Sequence, residues 1–205
     1  MSVAPPLRDR RAERYTATRR EILDAAWELV RAGGLASLTM RDLGTRVGMR
    51  AQSLYAYFPS KYAICDAMFD ESNRELLRRL TEVEPTLNPV ERLHQLARLF
   101  LDFCVEDPER YQLLFQRALP RFEPSPESYS AAMDVLDTAS TALRACGIGD
   151  ARALDVWTAV IGGIAAQQNA NEPGGDRWVR LTDEITDMFL AHFRRAKDAK
   201  NMGQK

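Results

Sequence analysis

Apolar residues recur at helical spacing along almost the whole chain, and no stretch alternates apolar and polar residues as a half-buried strand would. The first clear case runs from Tyr15 to Ala32. Within it Ile22, Ala26 and Leu29 fall on one side of a helix. The pattern predicts an all-α fold.

Proline, glycine and capping residues divide the rest of the chain into further helices. Asn88, for example, is a suitable N-cap because Pro89 follows at the first helical position and Glu91 at the third. The further helices are predicted over about residues 40–47, 51–58, 61–82, 89–104, 108–118, 126–143, 151–170 and 177–195.

Two short helices within residues 39–61 are predicted to meet at a sharp angle. Thr39 is a suitable N-cap, and the carboxylate of Asp42, three residues later, can reach back to it. Gly48 follows the first short helix, at the position where a residue in the left-handed conformation commonly ends a helix. Pro59 stops the second helix. This is the geometry of a helix-turn-helix, whose second helix enters the DNA major groove. A plain helical corner has the same spacing.

The charge of the chain is divided unevenly. The whole chain carries a net charge of −1. Residues 1–61 contain eleven basic and six acidic side chains, so they carry +5 and the remainder carries −6. A basic N-terminal third and an acidic remainder fit a protein that touches phosphate with one end only. A merely solvated charged surface is the alternative interpretation.

Cysteine and histidine patterns predict neither a disulfide framework nor a metal site. Cys65, Cys104 and Cys146 are isolated, and His94 and His192 lie far apart in sequence. Buried thiols in a reducing cytoplasm are the expected state, and a redox sensor is the alternative. No apolar run of ~18 residues and no secretory signal is present, so we expect a cytoplasmic protein without a membrane span.

A longer sequence run strengthens the helix-turn-helix interpretation. Leu54-Tyr55-x-Tyr57-Phe58-Pro59-Ser60-Lys61, preceded by Thr39-Met40-Arg41-Asp42-Leu43, closely resembles the DNA-binding domain of the TetR family of bacterial transcriptional repressors. The resemblance covers about residues 15–70. It implies an N-terminal three-helix helix-turn-helix domain followed by a C-terminal helical ligand-binding and dimerisation domain. We therefore expect a homodimer that binds a palindromic operator in double-stranded DNA and is released by a small effector.

The predicted DNA contacts lie on and beside the second short helix. Gln52 can pair bidentately with adenine, and Arg50 with guanine or phosphate. The resemblance implies phosphate contacts by Tyr57 and Lys61, whereas Tyr55 is expected to be half in the core. Arg50 stands where family members often have a small cap, so the register of base contacts stays open. The full predicted set is Thr39, Arg41, Arg50, Ala51, Gln52, Ser53, Tyr55, Tyr57 and Lys61.

The resemblance also implies an effector pocket in the C-terminal helices. The candidate lining residues are mostly apolar, which suggests a hydrophobic effector, although such residues fill any helical core. They are Phe69, Phe100, Phe103, Cys104, Tyr111, Phe115, Met133 and Trp157.

In the family, the last two helices pair with those of a second copy as a four-helix bundle. The residues predicted at this dimer interface are Trp157, Ile161, Ile164, Gln168, Ile185, Phe189 and Phe193.

Four segments are expected: a disordered basic arm over residues 1–13, the DNA-binding domain over 14–61, the effector and dimerisation domain over 62–196, and a disordered tail over 197–205. No nucleophile motif, glycine-rich phosphate loop or zinc motif is present, so we expect no enzyme activity and no cofactor. Two alternatives stay open. One is a TetR-like DNA-binding or protein-interaction module without effector control, as in chromosome organisation. The other is an all-α ligand carrier or enzyme with a vestigial DNA-binding domain.

Overall fold

The computed structural model describes residues 10–84 and 88–202, and for residues 196–202 it describes the backbone alone. Within these ranges the fold is all-α, as predicted, and no strand occurs. Among the same residues, no helix is long and apolar enough to cross a membrane. The helices are α1 (Arg10–Gly33), α2 (Met40–Arg46), α3 (Ala51–Leu54), α4 (Lys61–Thr81), α5 (Pro89–Glu106), α6 (Pro108–Phe115), α7 (Pro126–Ala145), α8 (Ala151–Asn171) and α9 (Thr182–Met202).

The chain forms two compact units. The first contains the described residues up to Phe69 together with the loop Arg117–Pro124. The second contains Asp70–Gln116 and the chain from Ser125 onward. The first unit therefore continues into α4 beyond residue 61, the predicted end of the DNA-binding domain. It also includes a loop distant in sequence, which a division of the chain into consecutive segments does not anticipate.

The core of the first unit is formed by α1, α2, α3 and the start of α4. Its largest fully buried side chains include Ile22 from α1, Leu43 from α2 and Leu54 from α3. Phe58 and Ile64 complete it. Burying an aliphatic or aromatic side chain of this size contributes about 1.5–3 kcal/mol, so these contacts hold the short helices α2 and α3, which would not be stable alone.

The second unit is a helical bundle around α5. This helix is buried through Leu93, Leu101 and Phe103, and its neighbours α8 and α9 contribute Trp157 and Leu190. A helix that is apolar over most of its circumference belongs at the centre of a bundle.

Helix starts in the second unit are capped by side chains, as predicted for Asn88. Asn88 Oδ1 accepts a hydrogen bond from the backbone N–H of Glu91 at 3.0 Å. Asp107 and Ser125 cap α6 and α7 in the same way, each with proline at the next position. Side-chain capping satisfies an amide that has no partner within the helix.

Two helices are shorter than the sequence predicts. The second short helix was expected to reach Phe58, but α3 ends at Leu54 and residues 55–57 form turns. There the backbone N–H of Tyr57 bonds to Leu54 O at 2.9 Å, a spacing of three residues that tightens the last turn. Likewise, α6 ends at Phe115 rather than near residue 118, because Gln116 has an extended conformation.

The helical segments at both ends of the chain extend into the predicted arm and tail. α1 begins at Arg10, so residues 10–13 of the predicted disordered arm are helical. α9 continues to Met202, through most of the predicted disordered tail. Residues 10–13 consist of Arg, Ala and Glu, and half of residues 197–202 are Lys or Ala, all of which favour helix. The rest of the predicted arm, residues 1–9, and of the tail, residues 203–205, lies outside the described residues.

Candidate nucleic-acid interface

The start of α2 is fixed by the predicted cap. Thr39 Oγ1 accepts a hydrogen bond from the backbone N–H of Asp42 at 3.1 Å. The same hydroxyl donates to Asp42 Oδ2 at 2.6 Å. The acidic side chain also lies in the first turn, where it interacts favourably with the helix dipole. Helix α2 therefore begins at a defined residue, which places Arg41 in its first turn.

The turn between α2 and α3 is held by two glycines. Gly48 has φ +67°, as predicted for the residue after the helix, and Met49 N–H bonds to Gly44 O at 2.8 Å. This is the hydrogen-bond pattern that ends many helices. Gly44 itself is buried, and a Cβ atom there would lie 2.7 Å from Met49 O and 3.3 Å from Ala51 N. Only glycine lets the backbones approach this closely.

Helix α3 and the turn after it are held against α1 by two side chains. The guanidinium of Arg19 lies 4.0 Å from the ring centroid of Phe58 and donates to Tyr57 O at 2.6 Å. Tyr15, four residues earlier on α1, stacks on Tyr57 with ring centroids 5.0 Å apart. These contacts fix the orientation of α3 although it is only one turn long.

The nine predicted DNA-contact residues all lie in the first unit. Gln52 and Ser53 are exposed on α3, and Arg50 precedes them as an N-cap without a side-chain hydrogen bond. Thr39, Arg41 and Tyr55 are also exposed, whereas Ala51, Tyr57 and Lys61 are half-buried. Tyr55, which was expected to be half in the core, has a side chain that is 51% exposed.

The cations of this unit fall into two groups. Arg46 pairs with Glu28 of α1 through its Nε at 2.9 Å, and Arg20 pairs with Asp24 at 3.1 Å. By contrast, Arg41, Arg50 and Lys61 make no side-chain hydrogen bond or ion pair with another described residue. The second group is available to an external anion such as the DNA phosphate backbone.

The first turn of α4 combines a cap, a cation and a buried thiol. Ser60 Oγ accepts from Ala63 N–H at 3.1 Å and caps the helix. Lys61 Nζ lies 5.7 Å from the ring centroid of Tyr62. Burial raises the pKa of Cys65 to about 11, although the charge of Lys61 acts in the opposite direction. The thiol is therefore uncharged at neutral pH and acts as core.

The predicted effector residues do not gather around one site. Phe69 belongs to the first unit, where its ring meets Phe122 edge-on at 6.4 Å. In the second unit the rings of Phe100, Tyr111 and Phe115 are in contact, and Phe115 is 43% exposed.

The other four predicted effector residues occupy different surroundings. Phe103 is buried with the guanidinium of Arg110 3.6 Å from its ring centroid. Cys104 is fully buried, and burial raises the pKa of its thiol. Trp157 is buried against Phe189, whereas Met133 is 47% exposed.

The residues predicted at the dimer interface are mostly core residues of their own chain. Six of the seven are buried in the second unit, and only Ile185 is partly exposed. Gln168 shows the reason: its Oε1 accepts from Trp178 N–H at 2.8 Å, and its Nε2 donates to Glu172 O. The apolar stripe of each helix fills the core of the chain itself, which leaves these side chains little surface for contact with a second copy. The buried residues are Trp157, Ile161, Ile164, Gln168, Phe189 and Phe193.

Sequence reasoning missed three features of this interface. Arg19 packs on Phe58, and Tyr15 stacks on Tyr57. The spacing of Tyr15 and Arg19, four residues apart on one helix face, was a usable signal. Gly44 carried no visible signal, since its close approach depends on a residue across the turn. No group of three or more metal-ligating side chains was found in the described part of the chain.

Comparisons with known proteins agree with this geometry. The family "Bacterial regulatory proteins, tetR family" matches residues 22–68, and the family "Tetracyclin repressor-like, C-terminal domain" matches residues 93–193. The fold is similar to that of the transcriptional regulator FadR from Bacillus subtilis in complex with stearoyl-CoA. The TM-score is 0.69 at 15% identity, over 83% of this chain and 97% of that one.

Two curated relatives cover different shares of the chain. The nucleoid occlusion factor SlmA of Pasteurella multocida is 29% identical over 92 residues, which is 44% of this chain and 46% of SlmA. The transcriptional repressor DrrR1 of Streptomyces coeruleorubidus is 26% identical over 186 residues, which is 86% of this chain and 62% of DrrR1. The chain thus spans roughly half to three fifths of the length of these relatives. With both family matches, the chain belongs to the TetR family of bacterial regulatory proteins.

Proposed function

We propose that this protein is a DNA-binding transcriptional repressor that acts in the cytoplasm as a homodimer, without enzyme activity. The observation that supports it best is the exposure of Gln52 and Ser53 on a helix whose position is fixed by Gly44, Arg19 and Tyr57. Rigidly held polar side chains are suited to reading base edges in the major groove.

Around that helix the unpaired cations are suited to the DNA backbone. Arg41 lies in the first turn of α2 and Lys61 in the first turn of α4, where free backbone amides also favour an anion. Arg50 precedes α3. In this proposal Gln52 reads a base, while Arg41 and Lys61 position the protein on phosphates without reading sequence.

The first test is binding of the purified protein to the DNA just upstream of its own gene, at moderate salt, against random competitor. Tight, competitor-resistant binding is expected. Gln52→Ala is expected to reduce the preference for this DNA over random DNA, by about 1–3 kcal/mol for the removal of a bidentate hydrogen-bonded pair with a base. Lys61→Ala is expected to weaken binding to both DNAs and to flatten the salt dependence. Equal losses of affinity on both DNAs for Gln52→Ala would contradict the base-reading assignment.

We further propose that a small hydrophobic molecule bound in the second unit releases the protein from DNA. The contacting rings of Phe100, Tyr111 and Phe115 support an apolar ligand, and FadR, which has a similar fold, was solved with stearoyl-CoA. Mass spectrometry of the denatured protein would detect a co-purified apolar compound. The compound should then displace the protein from its DNA.

A second candidate function is suggested by the similarity to SlmA, whose name describes a nucleoid occlusion factor. A chromosome-organising protein would bind many dispersed sites and would not respond to an effector. Genome-wide mapping of bound DNA distinguishes the two: a few promoter sites favour the repressor, and many sites outside promoters favour the alternative.

A further inference from the structure

The loop Arg117–Pro124 is attached to the first turn of α4. The phenol of Tyr62, the second residue of α4, donates a hydrogen bond to Pro120 O at 3.1 Å. The rings of Tyr62 and Phe122 are stacked, with centroids 6.5 Å apart and 15° between their planes. Arg121 stands between these two anchored residues. Its backbone is therefore held beside the first turn of α4, although it is distant in sequence.

This loop adds cations to the side of α4 where Lys61 lies. Lys61 Nζ is 5.7 Å from the ring centroid of Tyr62, so Lys61 and the loop flank the same ring. Arg117 and Arg121 are exposed and make no side-chain hydrogen bond or ion pair with another described residue. Glu123 is the only acid in the loop, which leaves it with a net positive charge.

The backbone conformation at Arg121 suggests a substitution that removes the side-chain charge and keeps the conformation of the loop. Its φ is +64°, a left-handed conformation that no other non-glycine residue adopts in the described part of the chain. Asparagine tolerates this conformation better than most residues, and it carries no charge. Replacing Arg121 with asparagine should therefore remove the cation without straining the loop.

From these contacts we propose that the loop Arg117–Pro124 is a second DNA-binding element and that Arg121 binds a backbone phosphate next to the one bound by Lys61. The proposal rests on the DNA-binding function above. DNA presents phosphates at regular intervals along each strand, and a guanidinium can bind one through two parallel hydrogen bonds. The loop would extend the footprint of the helix-turn-helix without adding sequence preference.

The test is a salt series with the full chain and a short DNA duplex of random sequence, followed by fluorescence anisotropy. Arg121→Asn is expected to raise the dissociation constant several-fold and to reduce the slope of log K against log salt by about 0.9 for each phosphate that the variant no longer binds. Arg121→Lys, which keeps the charge, should retain most of the affinity. Arg180→Asn removes the same charge from an exposed position in the second unit and should change neither quantity.

Two further measurements examine how the loop acts. Tyr62→Phe leaves every cation in place but removes the hydroxyl that holds Pro120. It should weaken DNA binding less than Arg121→Asn does. Ethylation interference should identify a phosphate whose modification weakens the unaltered protein but not Arg121→Asn.

Different results would refute the two proposals separately. Arg121→Asn could leave the DNA affinity and the salt slope unchanged while Lys61→Ala lowers the affinity and flattens the slope. In that case the loop does not contact DNA, and the helix-turn-helix function stands. If Arg180→Asn weakens binding as much as Arg121→Asn, the effect is one of overall charge and the proposed contact is wrong. If the unaltered chain shows no salt-dependent binding to any duplex, the proposed function fails and this inference fails with it.

Discussion

At the residue scale, the geometry of the helix-turn-helix depends on one buried glycine. A Cβ atom at Gly44 would lie 2.7 Å from Met49 O, closer than such atoms approach in proteins. The contact is with the backbone of the turn, so relief requires α2 and α3 to move apart. Gly44 therefore determines how closely the recognition helix follows the helix before it.

We predict that Gly44→Ala lowers the free energy of unfolding by about 2 kcal/mol or more, as overpacking in a tight site does. Gly162→Ala is the matched control, because Gly162 is also within a helix but a Cβ there meets nothing within 4 Å. The control should be neutral or stabilising by up to about 1 kcal/mol. Urea unfolding measures both, and equal midpoints for the two variants would contradict the steric argument.

Arg19 provides a second residue-scale prediction. It donates to Tyr57 O and covers the ring of Phe58, so Arg19→Ala should destabilise the protein by about 1–2 kcal/mol. Arg20→Ala, which removes the neighbouring exposed cation paired with Asp24, should cost about 0.5 kcal/mol or less. Chemical unfolding monitored by circular dichroism compares them. A larger loss of stability in Arg20→Ala than in Arg19→Ala would show that Arg19 is not a structural residue.

At the element scale, a cluster of charges connects α4 with α5 inside the second unit. Glu75 accepts from Arg79 Nε at 2.7 Å and from Arg78 Nη2 at 2.8 Å. Arg79 also donates to Glu106 of α5 at 2.9 Å. Hydrogen bonds from Arg78 and Arg79 lower the pKa of Glu75 from its ordinary 4.5 to about 2. Folding therefore favours the charged form of this carboxyl group.

This shift predicts how stability depends on pH. Because the pKa of Glu75 is lower in the folded state, its contribution is fully present above about pH 4.5 and is lost as the pH falls towards 2. Glu75→Gln should therefore lower the urea midpoint at pH 7 and flatten its fall below pH 5. Glu21→Gln removes an exposed carboxyl group on α1 and serves as the control. An identical pH profile for Glu75→Gln and the unaltered protein would contradict the role of Glu75.

Helix positions and caps could be predicted because their causes are local. Thr39, Asn88 and Ser125 each lie within three residues of the amide that they cap. The early end of α3 could not be predicted in this way. Its last turn tightens where Tyr57 packs on Tyr15, a residue more than forty positions earlier. The sequence around α3 does not indicate this contact.

Contacts between distant segments account for the other differences. In the sequence, the loop Arg117–Pro124 resembles an ordinary polar connection. The contact between Phe122 and Tyr62 is visible only in the structure. Periodicity shows that a helix has an apolar face, but it does not show whether the same chain or a second copy covers that face. This ambiguity explains why Ile161 and Phe189 were assigned to a dimer interface although they fill the core of their own chain.

At the scale of the whole molecule, the proposed homodimer requires a surface that pairs two copies. On α8, Val156, Ala159 and Gly163 are exposed at helical spacing and are all small or apolar. On α9, Met188 is 64% exposed and lines an open hollow of about 530 Å³ with Ala191, His192 and Arg195. We propose that these exposed faces, rather than the buried ones, form the dimer interface.

This assignment predicts the effect of one substitution. Met188→Glu would place a charge in the apolar contact, where desolvation is costly, and should raise the dimer dissociation constant at least about tenfold. Light scattering after gel filtration should give twice the chain mass of 23.2 kDa for the unaltered protein and one chain mass for the variant at low concentration. Tyr129→Glu, at a 53% exposed position on α7, is the control and should stay dimeric.

A Met188→Glu protein that remains a dimer at the same concentration would exclude this face. Loss of operator binding together with the dimer would show that the protein must present two recognition helices to bind its DNA.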